Sequence, residues 1–91
     1  MSQDNPLAPI ERELQGERAS ALGDAGRRVE AALADLALGE TQDRIDEAAT
    51  AVWHYMIVRE SLRMFDHKAA FAVYGIPKHV LARVGVMKPR P

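Results

Sequence analysis

The sequence has no cysteine, which excludes disulfides and thiolate metal sites and permits a reducing compartment. Aromatic residues are also scarce, at 5% of the chain, although the hydrophobic content is an ordinary 47%. The apolar majority consists of alanine, leucine and valine. Because alanine and leucine favour helices, and strands are usually rich in aromatic residues, this composition predicts an all-α protein.

Long apolar runs are absent as well. The longest, AVWHYMIV at 51–58, is much shorter than the roughly 18 to 20 residues that a membrane helix needs, and it contains His54. The N-terminal stretch MSQDNPLAPIERE does not have the basic region followed by an apolar run that marks a secretory signal. We therefore expect a soluble, cytoplasmic protein without membrane partners.

The formal net charge of -1 conceals a strong asymmetry. Residues 1–50 carry 11 acids and 5 arginines, a net charge of -6, whereas residues 51–91 carry 2 acids and 7 lysines or arginines, a net charge of +5. Opposite charges favour antiparallel docking of one half on the other, within one chain or between two. The C-terminal end is then the main basic surface.

Three regions follow from the pattern of proline, glycine and apolar residues. We expect an extended or disordered arm at 1–9, a single helical domain at 10–85 and a basic tail at 86–91. Within the domain, Gly39 is placed to end a first helix of about 10–38, and Thr41 is placed to cap the next. Such a short link predicts an antiparallel hairpin of two long helices.

Glycine is unusually frequent in the predicted first helix. Gly16, Gly23 and Gly26 form a close-packing stripe with Ala19 beside the apolar face, and each glycine costs roughly 0.5 to 1 kcal/mol inside a helix. The stripe would allow close approach of another backbone or a bulky side chain. Alternatively, the helix bends or breaks near these glycines.

Glycine and proline are absent from residues 42–74, which predicts a second helix along their whole length. Its apolar residues surround the helix, as expected for a buried one, and a single partner helix cannot cover them all. We therefore predict a homodimer in which two hairpins, each with a short C-terminal helix, form a four-helix bundle. The residues expected in this dimer or core packing are Trp53, Tyr55, Val58, Leu62 and Phe65.

One polar cluster lies on the same predicted helix, because Glu60, Arg63 and His67 are spaced to share a face. These groups suit acid–base or anion-binding chemistry. Alternatively, Glu60 and Arg63 pair with each other and His67 bonds to a carbonyl, as internal polar groups require. No second cluster completes a catalytic site, and His54, His67 and His79 do not have metal-binding spacing. We expect no enzyme activity, no metal and no cofactor.

The segment 67–85 offers a second candidate surface. Gly75, the following Ile76-Pro77 and a short amphipathic helix capped at Gly85 resemble the second half of a helix-turn-helix. Alternatively, this short helix closes the bundle core with its apolar face. The basic residues that would face an anionic partner are Lys78, His79, Arg83, Lys88 and Arg90.

A family resemblance rests on three features: the stretch AVWHYMIVRE, the Asp66-His67 pair and the ending YGIP…V..R.G. Together they resemble a family of small bacterial helical proteins known only as a domain of unknown function. The resemblance covers about Ile10 to Gly85. It implies a helical fold and no particular activity.

These observations predict a dimeric protein-interaction or structural module with an unidentified protein partner. The alternative is a nucleic-acid-binding regulator that uses the segment 67–85 and the basic tail.

Overall fold

The computed structural model describes residues 8–87 and places them in four helices, with no strand among them. The helices are α1 (Ala8–Ala37), α2 (Gln42–Ser61), α3 (His67–Tyr74) and α4 (Lys78–Met87). The predicted all-α fold, with two long helices packed together and a short C-terminal helix, is confirmed.

The turn between α1 and α2 follows the local chemistry of its residues. The Thr41 hydroxyl oxygen accepts a hydrogen bond from the Arg44 amide at 3.1 Å, as a helix N-cap does. The Gly39 amide donates to the Leu36 carbonyl at 3.2 Å, and the Arg44 guanidinium donates to the Gly39 carbonyl at 2.7 Å. Both predicted caps are confirmed, and the short turn makes α1 and α2 antiparallel neighbours.

The predicted second helix is wrong beyond the end of α2, because the chain turns through residues 62–66 before α3 begins. Arg63 has a φ of 63°, a left-handed conformation that glycine usually supplies. Its amide donates to the Glu60 carbonyl at 3.0 Å, and the Met64 amide donates to the Arg59 carbonyl at 2.9 Å. These two bonds close the helix C-terminus in the Schellman pattern. The helix thus ends without glycine or proline.

The chain closes α3 in the same way, here with the expected glycine. Gly75 has a φ of 63°, and the Ile76 amide donates to the Phe71 carbonyl at 3.1 Å. The next helix departs from the expectation, because α4 continues through Gly85 to Met87. The predicted cap at Gly85 is wrong: helical bonding continues past this exposed glycine.

The core is built around α2, which packs against both α1 and α4. Small residues dominate it, so the helix backbones approach one another closely. The buried apolar residues are Ala25, Val29, Ala32, Leu36, Ala48, Ala49, Ala51, Val52, Tyr55, Ala70, Ile76, Val80 and Val84. Phe65, which was expected in dimer or core packing, lies outside this core at 65% exposure, and Val73 is 82% exposed. The turn after α2 redirects both.

α1 runs without interruption through its glycines, so the alternative expectation of a break there is wrong. Gly26 is buried, and a Cβ added there would lie less than 3.0 Å from the Tyr74 hydroxyl oxygen, too close for a real contact. At Gly23 the nearest such neighbour is the Arg27 guanidinium, at 3.4 Å, and at Gly16 no atom lies within 4 Å. Within one chain, close packing of a bulky side chain is therefore found at Gly26.

Candidate functional site

A polar cluster joins the end of α2 to the start of α3. Arg59 is 8% exposed, and its Nη2 donates to the Asp66 carbonyl at 2.8 Å. Its Nε lies 3.4 Å from Nδ1 of His67 and donates to it. The other ring nitrogen of His67, Nε2, lies 2.9 Å from Oε2 of Glu60. The cluster spans the corner where the chain changes direction.

These contacts define what the His67 ring can do. Because Arg59 can only donate, Nδ1 of His67 is the acceptor, and the neutral ring then carries its proton on Nε2 and donates it to Glu60. Both ring nitrogens are therefore hydrogen-bonded within the chain, to Arg59 and to Glu60. The arrangement therefore holds the corner together, as a satisfied internal network does.

Aromatic contacts extend this cluster into the core. The His67 ring stacks on Phe71 with centroids 6.0 Å apart, and the Arg59 guanidinium lies 5.7 Å from the centroid of Tyr55. Tyr55 in turn meets Tyr74 edge to face, with centroids 5.3 Å apart. Burial, with a further contribution from the neighbouring Tyr55 hydroxyl, raises the pKa of Tyr74 above its ordinary value. Charge and aromatic contacts thus link α3 to α2.

The composition of this cluster differs from the set expected from the sequence. Glu60 and His67 are brought together, whereas Arg63 lies in the turn with an exposed side chain and forms no ion pair with Glu60. Arg59 occupies the central place instead. A signal for it existed, because Arg59 follows Tyr55 by four residues and so falls on the buried side of α2. A charge at such a position needs partners, and here they come from α3 and the preceding turn.

Two of the three described residues of the predicted basic surface, His79 and Arg83, are paired within the chain. Arg83 of α4 donates from Nε to Oδ1 of Asp46 at 2.7 Å, with Nη2 and Oδ2 3.5 Å apart. His79 lies 2.7 Å from a carboxylate oxygen of Glu40. Lys78 is exposed and forms no ion pair with the other described residues. The basic C-terminal half docks on acids of the first half, as the charge asymmetry predicts.

The Asp46 contact has an electrostatic consequence. Hydrogen bonds from Arg83 and then from Gln42 lower the pKa of Asp46 below its ordinary value, although desolvation acts in the opposite direction. The ion pair fastens α4 to the first turns of α2. The two remaining residues of the predicted basic surface, Lys88 and Arg90, lie outside the described residues.

The residues expected in dimer or core packing have different environments. Tyr55 is buried, whereas Trp53, Val58 and Leu62 are half-buried, and Phe65 is mostly exposed in the turn after α2. The buried Val80 and Val84 of α4 cover part of α2. The large apolar side chains left exposed are spread over the described elements: Ile10 on α1 and Leu38 just after it, Ile57 on α2, Met64 and Phe65 in the 62–66 turn, Val73 on α3 and Val86 on α4.

The first part of α1 extends beyond α2. At 1.5 Å per residue, the 30 residues of α1 measure about 45 Å and the 20 residues of α2 about 30 Å. Between residues 9 and 21, every side chain that the structure describes is exposed. Where α2 ends against α1, a groove of about 390 Å³ opens between them. Its lining residues are Arg18, Ala19, Leu22, Ser61, Leu62 and Arg63.

Residues 8–87 meet neither the requirements of a metal site nor those of a membrane-spanning helix. No group of three or more histidine, aspartate or glutamate side chains in this range is placed to hold a metal ion. None of its helices combines the length and the apolar character needed to cross a bilayer.

The fold and the site define a small helical protein with a satisfied internal polar network and an uncovered helix end. The chain belongs to a family of unknown function, DUF6665, whose sequence profile matches it over residues 1–91. The family resemblance expected from the sequence is thereby confirmed. The match does not bear on whether the family is bacterial. Comparison with curated proteins and with solved structures gives no match.

Proposed function

We propose that this protein is a homodimeric interaction or structural module that acts through its surfaces and performs no catalysis. The observation that carries the proposal is the first part of α1, where all described side chains from residue 9 to residue 21 are exposed. In proteins most helical stability comes from packing of a helix face, and the described side chains of this segment have no such packing within one chain. A second molecule that covers this segment would account for its helical structure.

Exposed apolar side chains near the end of α2 support the same proposal. In the turn that follows α2, Phe65 is 65% exposed and Met64 is 37% exposed, and on the first turn of α1 Ile10 is 53% exposed. Adjacent exposed apolar groups such as Met64 and Phe65 are typical of an interaction surface. The absence of catalysis is supported by the His67 ring, whose two nitrogens are occupied by Arg59 and Glu60.

The oligomeric state tests this proposal directly. Sedimentation equilibrium at micromolar concentration should give a mass of about twice 10.1 kDa. A substitution on the exposed α1 segment, Ile10→Glu, should shift the protein toward monomer, because it places a charge where apolar cover is expected. The matched control is Val73→Glu on α3, at an 82% exposed position, which should leave the mass unchanged. A wild-type mass of 10.1 kDa across this range would refute the proposal.

The nucleic-acid alternative has a weaker basis, because Arg83 and His79 are engaged by Asp46 and Glu40. Affinity for nucleic acid rests on many free phosphate contacts. Fluorescence anisotropy with duplex DNA at about 50 mM salt should therefore show no binding. Binding that weakens on combined Lys78→Ala and Arg83→Ala substitution would favour this alternative instead.

A further inference from the structure

The groove at the end of α2 has the chemistry of a binding surface for an acidic, partly apolar helix. Its lining is half polar and half apolar, and the apolar side chains are those of Ala19, Leu22 and Leu62. Arg18 lines it from α1 and Arg63 from the turn after α2. Neither guanidinium forms an ion pair with another residue in the described part of the chain. The groove therefore offers two available positive charges beside apolar side chains.

The chain carries a segment of matching chemistry, the N-terminal extension of α1, defined here as residues 9–17. It contains three glutamates and one arginine, a net charge of -2, and its side chains that are described are exposed. Within one chain this extension continues away from the groove along the same helix axis, so it cannot fold back into it. A second copy can deliver its own extension to the groove.

Two-fold symmetry makes this contact reciprocal. Glu11 and Arg18 are seven residues apart, which places them on the same face of α1. When two α1 helices cross antiparallel, with the axis midway between these residues, Glu11 of each copy meets Arg18 of the other. One symmetric contact then forms two ion pairs and places the start of each extension, at Ile10 and Glu11, beside the other copy's groove.

We propose that the start of the α1 extension from a second copy of this chain lies beside the groove lined by Arg18 and Arg63, with Glu11 of each copy paired to Arg18 of the other. The inference rests on the proposed homodimer and specifies its interface. It accounts for the exposure of the extension and for the uncovered groove with a single contact. The arginines give the contact its orientation, because a parallel arrangement would place like charges together.

Charge exchange between two variants tests the pairing. Arg18→Glu alone and Glu11→Arg alone should each weaken the dimer at least tenfold, because each places like charges opposite one another. An equimolar mixture of the two variants should restore the dimer, since every contact in the mixed pair is again complementary. The single-chain exchange, Glu11→Arg with Arg18→Glu, should do the same. Arg28→Glu, an exposed reversal further along α1, is the matched control and should leave the dissociation constant unchanged.

Distances between spin labels test the geometry independently. The chain has no cysteine, so single labels can be placed at Ser20→Cys or Ala34→Cys, both exposed on α1. In the antiparallel crossing the two copies of residue 20 are about 20 Å apart, and the two copies of residue 34 are about 60 Å apart. Circular dichroism establishes that each variant keeps its helical content.

The outcomes separate this inference from the proposed function. A wild-type monomer would refute both. A dimer that is insensitive to either charge reversal, or whose residue 34 labels are closer than its residue 20 labels, would overturn the interface and leave the homodimer standing. Restoration by mixing, together with the short distance at residue 20, would establish the interface.

Discussion

Substitution of Gly26 is the sharpest test of the packing between α1 and α3. The buried glycine faces the end of the Tyr74 side chain, and a Cβ added there would lie too close to the hydroxyl oxygen and 3.3 Å from Cζ. The Tyr74 ring has little freedom to move away, because it is half-buried and rests edge to face on Tyr55. Gly26→Ala must therefore displace either the ring or the helix.

The expected size of this effect is a difference between two terms. Alanine is favoured over glycine in a helix interior by about 1 kcal/mol. Overpacking a well-filled core costs about 1 to 3 kcal/mol. We expect Gly26→Ala to destabilise the fold by about 1 kcal/mol, which corresponds to a fall in Tm of roughly 4 to 8 °C for a domain of this size.

A matched glycine, Gly23, supplies the control. An alanine Cβ at Gly23 meets only the movable Arg27 guanidinium, at 3.4 Å. Gly23→Ala should raise stability by about 0.5 to 1 kcal/mol, because only the helix preference acts. Thermal and urea unfolding, followed by circular dichroism at one protein concentration, give the comparison. The reasoning is refuted if Gly26→Ala stabilises the protein as much as Gly23→Ala does.

A double-mutant cycle identifies the atom responsible. Tyr74→Phe removes the hydroxyl oxygen and leaves the ring in place. In that background the cost of Gly26→Ala should fall by at least about 1 kcal/mol, the lower end of the overpacking range. An unchanged cost would mean that the hydroxyl is not the source of the clash.

Three further predictions concern single contacts. Arg63→Gly should be more stable than Arg63→Ala by about 1 kcal/mol in urea unfolding, because both lose the guanidinium and only glycine relieves the left-handed backbone. The pKa of Tyr74 is higher in the folded protein than the value of about 10 in the unfolded chain. The stability linked to this difference is fully present below pH 10 and is lost as the pH rises through the folded-state pKa. Tyr74→Phe should therefore flatten the alkaline part of a Tm-against-pH curve. The pKa of Asp46 is lower in the folded protein than the unfolded value of 3.8. The stability linked to this difference is present above pH 3.8 and is lost as the pH falls through the folded-state pKa. Arg83→Met should reduce this acid dependence, and an unchanged acid limb would contradict the assignment.

The parts of the fold that the sequence predicts are those that local chemistry determines. Thr41 caps α2 through its own hydroxyl, and Gly75 ends α3 because it adopts a left-handed φ without steric cost. The antiparallel hairpin then follows from the short turn between two long apolar-periodic segments. These features depend on neighbouring residues, so a single sequence contains them.

The end of α2 could not be predicted in this way. Its closing hydrogen bonds are those that glycine normally permits, but Arg63 makes the turn, so the usual residue signal is missing. The expected membership of the polar cluster was wrong for the same reason. On a continuous second helix Arg63 would lie beside Glu60, whereas in the structure Arg59 contacts His67. Once the chain turns, His67 returns to Arg59 from a separate helix. Only the three-dimensional path shows which arginine the histidine meets.

The same turn changes the physical reason for a dimer. A continuous second helix, apolar on all sides, would need a partner along its whole length. In the structure α2 is shorter, α4 covers it from one side with Val80 and Val84, and α3 brings Tyr74 to α1. The surface left uncovered within one chain therefore includes the part of α1 that α2 does not reach. The proposed second copy would cover this N-terminal part of α1, where Arg18 lines the groove.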